Sequence, residues 1–197
     1  MMKLKVIFVN TNTITLESLL ASKFLSSSNI EELEQYKVEQ IKKEKACSFI
    51  LKNKYIGDYY LNENGKPVSD HCYFNVSHSK GAVVLVKDSL PVGIDIEQIR
   101  PLRKEMIDYI SSNKEKEYIK DDKTYYEIWT NKESIDKCLG TGIKSRLEEI
   151  PALPINGKKT YKEKDYFSKT IVFQNHVISV AREKDESFEI EIEEEKI

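Results

Sequence analysis

The chain has 197 residues, 40% of them hydrophobic and 32% charged, which describes a globular, water-exposed protein large enough for one domain or two small packed halves. A net charge of −2 argues against nucleic-acid binding by bulk charge, although the stretch from Arg182 to Ile197 carries −5 and leaves the remainder mildly basic at +3. Cys47, Cys72 and Cys138 are odd in number, far apart and without a CxxC pair, so neither a disulfide framework nor a zinc site is expected.

The opening MMKLKVIFVN is too short and too alternating for a signal peptide, and no apolar run reaches membrane-spanning length. The expected location is the cytoplasm. Leu4 to Val9 reads as a strand. Glu31 to Lys45, with both signs of charge mixed, predicts an exposed helix, and Ala46, Phe49 and Ile50 predict a packed one ending near Gly57 or the Asn64-Gly65 pair. Gly81 to Lys87 and Val92 to Glu97 predict two strands joined by turn chemistry at Asp88-Ser89-Leu90-Pro91. Pro101 opens a predicted helix to Ile110, and Thr124 to Leu139 forms another, stopped by Gly140 and Gly142. Thr170–Phe173 and His176–Ala181 flank Gln174-Asn175 as a hairpin, and Phe188, Ile190 and Ile192 alternate with Glu as an acidic edge strand. This order of elements predicts an α+β fold, with antiparallel sheets and helices packed on them.

Three segments carry candidate chemistry. In Gly93-Ile94-Asp95-Ile96-Glu97 the strand period turns both isoleucines to a core and both carboxylates to the other face. Adjacent carboxylates repel, and a hard cation such as Mg²⁺ relieves the repulsion; the same pattern also suits an exposed strand face. On the predicted helix Trp129, Glu133 and Lys137 lie four apart, so Glu133 can add a third carboxylate and Lys137 can reach a phosphate oxygen. An ordinary Glu–Lys pair beside a buried Trp has the same spacing. Phe74-Asn75-Val76-Ser77-His78-Ser79-Lys80 runs an apolar strand into hydrogen-bonding side chains, which make either an anion cradle or a plain strand-to-turn segment. Upstream, the Asn64-Gly65-Lys66-Pro67 turn presents a lysine.

Taken in order, Asn64-Gly65-Lys66-Pro67, Phe74-Asn75-Val76-Ser77-His78-Ser79, Gly93-Ile94-Asp95-Ile96-Glu97 and Trp129-Thr130-Asn131-Lys132-Glu133-Ser134 resemble the 4'-phosphopantetheinyl transferases, in particular the larger, surfactin-synthetase-activating (Sfp-type) group. The motif region runs from Gly65 to Gly142. The resemblance implies a pseudo-dimer of two similar halves, each a small antiparallel sheet packed against a long helix. Here they would be an N-terminal half, 1–90, and a C-terminal half, 91–197, carrying the metal site. Coenzyme A would lie in the cleft between them. It implies Mg²⁺ on Asp95, Glu97 and Glu133, and a phosphate contact from Lys137. Lys66, Ser77 and His78 would hold coenzyme A, His78 near its 3'-phosphate, with Lys45 as the basic residue of the first long helix. The implied reaction moves the phosphopantetheine arm to a serine of an apo acyl, peptidyl or polyketide carrier protein and releases 3',5'-ADP. The implied protein acts as a monomer, with no nucleic acid and no membrane.

The chain departs from the family pattern in three places. The aromatic-Ser-x-x-Glu motif is shifted within Ile110 to Glu117, so Glu115 and Glu117 compete for its glutamate, and the general base stays open between these, Glu133 and water. Cys138-Leu139-Gly140-Thr141-Gly142 keeps both glycines of a Lys-Gly-x-Gly pattern but not its lysine. The N-terminal third is short for the group. Two other readings remain: a binding module of the same fold without turnover, and a Mg²⁺-dependent phosphodiester hydrolase that consumes coenzyme A without an acceptor.

Overall fold

The structure, a computed structural model, describes residues 2–102, 104–140, 146–184 and 186–197. Strand β1 (Met2–Asn10) is followed by short helices α1 (Leu16–Leu20) and α2 (Ser27–Glu34), then the long helix α3 (Glu39–Tyr55). A two-stranded ribbon, β2 (Tyr60–Leu61) and β3 (Pro67–Val68), leads to the hairpin β4 (Tyr73–Ser79) and β5 (Ala82–Asp88). Next come β6 (Val92–Gln98), α4 (Glu105–Ile110), α5 (Asn113–Tyr118) and the second long helix α6 (Asp122–Leu139). The chain ends in β7 (Gly157–Tyr161), β8 (Lys164–Phe173), β9 (His176–Glu183) and β10 (Phe188–Glu194).

The α+β class is as expected, and the strands form two four-stranded sheets, ordered β10-β1-β5-β4 and β6-β9-β8-β7. Their inner faces share one apolar core, in which Val6, Phe8, Val84 and Val86 of the first sheet meet Ile94, Ile96, Ile178 and Val180 of the second. On the outer face of the first sheet, Ile7, Val9, Val83 and Leu85 pack against Cys47, Ile50 and Leu51 of α3. On the outer face of the second, α6 sets Ile135 and Cys138 against Ala181. Each strand thus alternates between a sheet–sheet face and a helix face, as a period of two requires. The layers run helix, sheet, sheet, helix. β10 pairs in parallel with β1, so the first sheet is mixed and not the purely antiparallel one expected, and a strand from beyond residue 90 completes it.

Several boundaries differ from expectation. The charged helix expected over 31–45 is two helices with a break at Gln35–Val38, where buried Leu33 anchors α2 and the chain turns before α3 begins. Lys45 therefore sits inside the packed helix. The helix expected from Pro101 begins at Glu105, and α5 was not expected, although Ser112 and Glu115 form its capping box. Strand β7 was also not expected. Gly140 ends α6 in the left-handed region at φ 74°, as a C-terminal glycine does. Gly142, the other expected stop, lies outside the described residues. The Gln174-Asn175 hairpin has both residues at positive φ, and so does the Lys80-Gly81 turn between β4 and β5.

Candidate active site

The site forms where β4, at the end of the first sheet, runs along β6, at the end of the second. Asn75, Ser77 and Ser79 share one face of β4 and meet β6 at matching intervals. Asn75 Oδ1 accepts the Ile94 N–H at 3.1 Å, the Ser77 hydroxyl donates to Asp95 Oδ1 at 2.9 Å, and the Ser79 hydroxyl donates to Glu97 Oε2 at 2.6 Å. Both carboxylates of the Asp-x-Glu motif are thereby gripped from the facing strand.

Helix α6 brings the third carboxylate and the lysine. Its backbone lies directly on β6 because Gly93 has no side chain there to hold it off. Below the helix, Thr130 Oγ1 and Ser179 Oγ are 2.7 Å apart, and the Asn131 amide donates to Thr170 Oγ1 at 3.1 Å, so the polar face of α6 is satisfied on burial. Lys137 Nζ donates to Asp95 Oδ1 at 2.5 Å and to Ser77 Oγ at 3.0 Å.

Ser77, His78, Asp95, Glu97, Glu133 and Lys137 line one cavity of about 300 Å³, walled by Val76 and Trp129. Its electrostatics are those of crowded acids. Burial first, and Asp95 next, push the Glu133 carboxyl up to about 7, with Lys137 opposing. Burial also raises Glu97 above the usual carboxylate range, against the bond from Ser79. Asp95 Oδ2 is buried and has no hydrogen-bond partner. A buried carboxylate oxygen without a donor is costly, and two neighbouring carboxyls held toward their protonated forms mark a shortage of positive charge. An oxygen-preferring divalent cation fits this donor set. Among the described residues, no three His, Cys, Asp or Glu groups are already drawn together around a common point. The carboxylates repel one another, and Lys137 occupies one oxygen of Asp95.

Two further cavities adjoin the first. One, of about 180 Å³, shares Val76 and His78 with it and is lined by Lys45, Ser48, Lys52 and Pro67. The other, of about 370 Å³, shares Glu97 and Trp129 and is lined by Arg100, Met106, Tyr125 and Tyr126. Lys45 and His78 thus meet at one cavity. Lys66 does not join them: its ammonium donates to the Lys137 carbonyl oxygen at 2.6 Å, at the C-terminal end of α6. Glu115 is also elsewhere, buried in an ion pair with Lys132 at 2.8 Å and accepting the N–H groups of Ser112 and Ala152. Glu117 is exposed on α5.

Glu44 and Lys52 were not expected from the sequence, and Asn75 and Ser79 were expected only as part of the cradle segment, not as partners of β6. Ser79 and Asn75 carried a signal, since with Ser77 they repeat every second residue, in step with Asp95 and Glu97. Lys52 lies over the rings of Phe49 and Tyr59, 4.7 and 4.8 Å from their centroids, and burial pushes its ammonium down to about 8.

Residues 91–187, which carry β6 and α6, match the family model of the 4'-phosphopantetheinyl transferase superfamily. The chain is similar to the Bacillus pumilus protein named 4'-phosphopantetheinyl transferase psf-1, 31% identical over 119 residues, 55% of this chain and 51% of that one. With 4'-phosphopantetheinyl transferase Sfp of Bacillus subtilis (strain 168) it shares 37% identity over 101 residues, 47% of this chain and 45% of the relative. The Aneurinibacillus migulanus protein named 4'-phosphopantetheinyl transferase gsp is 30% identical over 141 residues, 61% of this chain and 60% of its own length. The chain therefore spans about half to three-fifths of the length of these relatives. The superfamily resemblance expected from the motifs holds, and the matched segment contains Asp95, Glu97, Glu133 and Lys137.

Proposed function

We propose that this protein transfers the 4'-phosphopantetheine group of coenzyme A to a serine hydroxyl of an apo carrier protein, releasing 3',5'-ADP. The observation that carries the proposal is the convergence of Asp95, Glu97, Glu133 and Lys137 on one cavity, with a buried, partnerless oxygen on Asp95. The names of the relatives support the same reaction.

In this reading Asp95, Glu97 and Glu133 would hold Mg²⁺, which when bound neutralises pyrophosphate charge. Lys137 supplies a mobile cation: its ammonium now pairs with Asp95 and can turn to a phosphate oxygen as charge develops on the leaving group. Ser77 and Ser79 orient the carboxylates of Asp95 and Glu97 from β4. The carrier serine Oγ forms a bond to the β-phosphorus while the bond from that phosphorus to the bridging oxygen breaks and 3',5'-ADP departs with the electron pair. Glu133 takes the serine proton. Without the cation, burial and Asp95 raise its carboxyl to about 7; with the cation bound, the ionised form that can accept the proton is favoured. Each carboxylate has two oxygens, so one can serve the cation and the other the proton. Positioning and electrostatics supply most of the rate enhancement, as in other phosphoryl transfers.

Lys45 and His78 would hold the 3'-phosphoadenosine end in the adjoining cavity, with Ser77 beside the pyrophosphate. Lys66, bonded to the Lys137 carbonyl, would act by fixing the end of α6 unless it releases that contact for substrate. The halves of a pseudo-dimer would be 1–90 and 91–197, with β10 of the second half crossing over to complete the sheet of the first. A single cytoplasmic chain would then hold the whole cleft and act as a monomer.

The test is incubation of the purified protein with fluorescent coenzyme A, Mg²⁺ and a panel of apo acyl, peptidyl and polyketide carrier proteins. Covalent label on at least one carrier is the expected result. Consumption of coenzyme A without an acceptor would replace the proposal with a hydrolase, and absence of both label and consumption would leave a binding module.

A further inference from the structure

We propose that Glu44 is a positioning residue for His78, holding its imidazole with Nδ1–H toward helix α3 and presenting the Nε2 edge to the two cavities that His78 lines. The inference rests on the reading that this cleft takes coenzyme A.

Glu44 sits in a run of charged residues, yet it is 6% exposed. Its position on α3 explains the burial. Residues 44, 47, 48 and 51 share a helix face, and Cys47, Ser48 and Leu51 are all buried against the first sheet. Three donors converge on the Glu44 carboxylate. Gly81 N–H and Gln40 Nε2 bond to Oε1 at 2.8 and 3.1 Å, and His78 Nδ1 lies 3.1 Å from Oε2. Burial pushes the Glu44 carboxyl up, but the bonds from His78, Gly81 and Gln40 outweigh it and hold the group below its ordinary value. It is therefore ionised at neutrality. An ionised carboxylate only accepts hydrogen bonds, so the proton between these two groups belongs to Nδ1.

This settles the orientation of a ring that otherwise has two. His78 keeps 34% of its side chain exposed and lines both the carboxylate cavity and the cavity of Lys45 and Lys52. With Nδ1 committed to Glu44, Nε2 is the nitrogen left for a ligand. A phosphate oxygen arriving there meets the ring edge that the Glu44 contact has turned toward the cavities. Glu44 also ties down the turn that ends β4 through the Gly81 N–H, so helix, turn and imidazole move as one unit.

Two measurements test this. Nitrogen-15 spectra of the ligand-free protein should show His78 protonated at Nδ1, and a bare Nδ1 with the proton on Nε2 alone would overturn the proposal with or without any substrate. Calorimetric titration with coenzyme A should then be run on the native protein, Glu44→Gln, His78→Gln and the double variant. Glutamine keeps an acceptor for the Gly81 N–H, so the fold is spared. Glu44→Gln should weaken coenzyme A binding on the order of tenfold in the native background but less than about twofold once His78 is replaced. It should also raise KM for coenzyme A with little change in kcat. Equal losses in both backgrounds would show that Glu44 serves only the fold and sink the proposal. Failure of the native protein to bind coenzyme A would overturn the reading of the cleft instead, while the spectra would still decide the state of His78.

Discussion

Gly93 and Ser134 are in backbone contact: a Cβ built on Gly93 would stand 2.1 Å from the Ser134 carbonyl oxygen and 2.3 Å from the Cys138 amide nitrogen. The strand bearing Asp95 and Glu97 and the helix bearing Glu133 and Lys137 touch at this point. The separation of the four side chains follows from it.

Gly93→Ala is expected to push α6 away from β6. The obstruction is backbone on both sides and cannot rotate away, so the cost belongs at the upper end of the about 1–3 kcal/mol typical of overpacking. Urea denaturation measures that loss. Transfer activity should fall more steeply than stability, because Glu133 moves relative to Asp95.

Glu133→Gln and Asp95→Ala should each reduce transfer by about two to three orders of magnitude with the fold retained. Circular dichroism and a carrier-loading assay at saturating Mg²⁺ check the two halves of this statement. Near-native transfer by either variant would remove that residue from the mechanism.

Lys132, one residue before Glu133, is fully buried and donates to the Leu147 and Ile150 carbonyl oxygens while pairing with Glu115. Lys132→Met strands the Glu115 carboxylate in the interior. It should cost about 3–5 kcal/mol, the range for breaking a buried pair from one side. Adding Glu115→Gln should return part of the loss, since glutamine leaves no uncompensated charge. An additive double variant in thermal melts would contradict this.

Lys159 is buried among the Pro154 carbonyl and the Ser168 hydroxyl, and burial pushes its ammonium down to about 8 from 10.5. Below pH 8 it is charged in both the folded and the unfolded chain, and the folded state bears the desolvation cost. Between about pH 8 and 10.5 the unfolded chain binds more protons, so stability rises with pH, by up to about 1.4 kcal/mol per pH unit. Lys52, lowered in the same way, adds to the rise. From about pH 9 the buried thiols of Cys47 and Cys138, pushed up to about 12, oppose it, and above pH 10 buried tyrosines join them, Tyr125 being raised by burial to about 12, because the unfolded chain loses those protons first. Urea midpoints from pH 7 to 9 should climb in the native protein and climb less in Lys159→Met.

Legibility from sequence followed the range of the interaction. The alternation at Ile94, Asp95, Ile96 and Glu97 and the four-residue spacing of Trp129, Glu133 and Lys137 are local patterns that suit a candidate site and an ordinary surface alike, and the family resemblance is what chose between them. Gly140 and the Gln174-Asn175 turn were equally local. Glu44 was hidden by its neighbours: a mixed-charge run reads as a solvated face, and only the helical phase shared with Cys47 and Leu51 marks it as inward. The break at Gln35–Val38 has no Gly or Pro to announce it. The capping box of Ser112 and Glu115 was present in the sequence, but Glu115 was weighed as a base because its partner Lys132 lies seventeen positions on. The pairing of β10 with β1 joins the two ends of the described chain, a distance over which no periodicity speaks.

That last pairing sets the order in which the molecule can be completed. During synthesis β1 is made first, yet one of its edges waits for Phe188–Glu194 to emerge. Until then the row of Val6 and Phe8 has an open flank, and the acidic side chains of Glu191 and Glu193 have not yet met Lys3 and Lys5. The strands and long helix of the second layer lie within residues 92–183 and need none of this, so it is the first layer that stays incomplete until β10 is laid down.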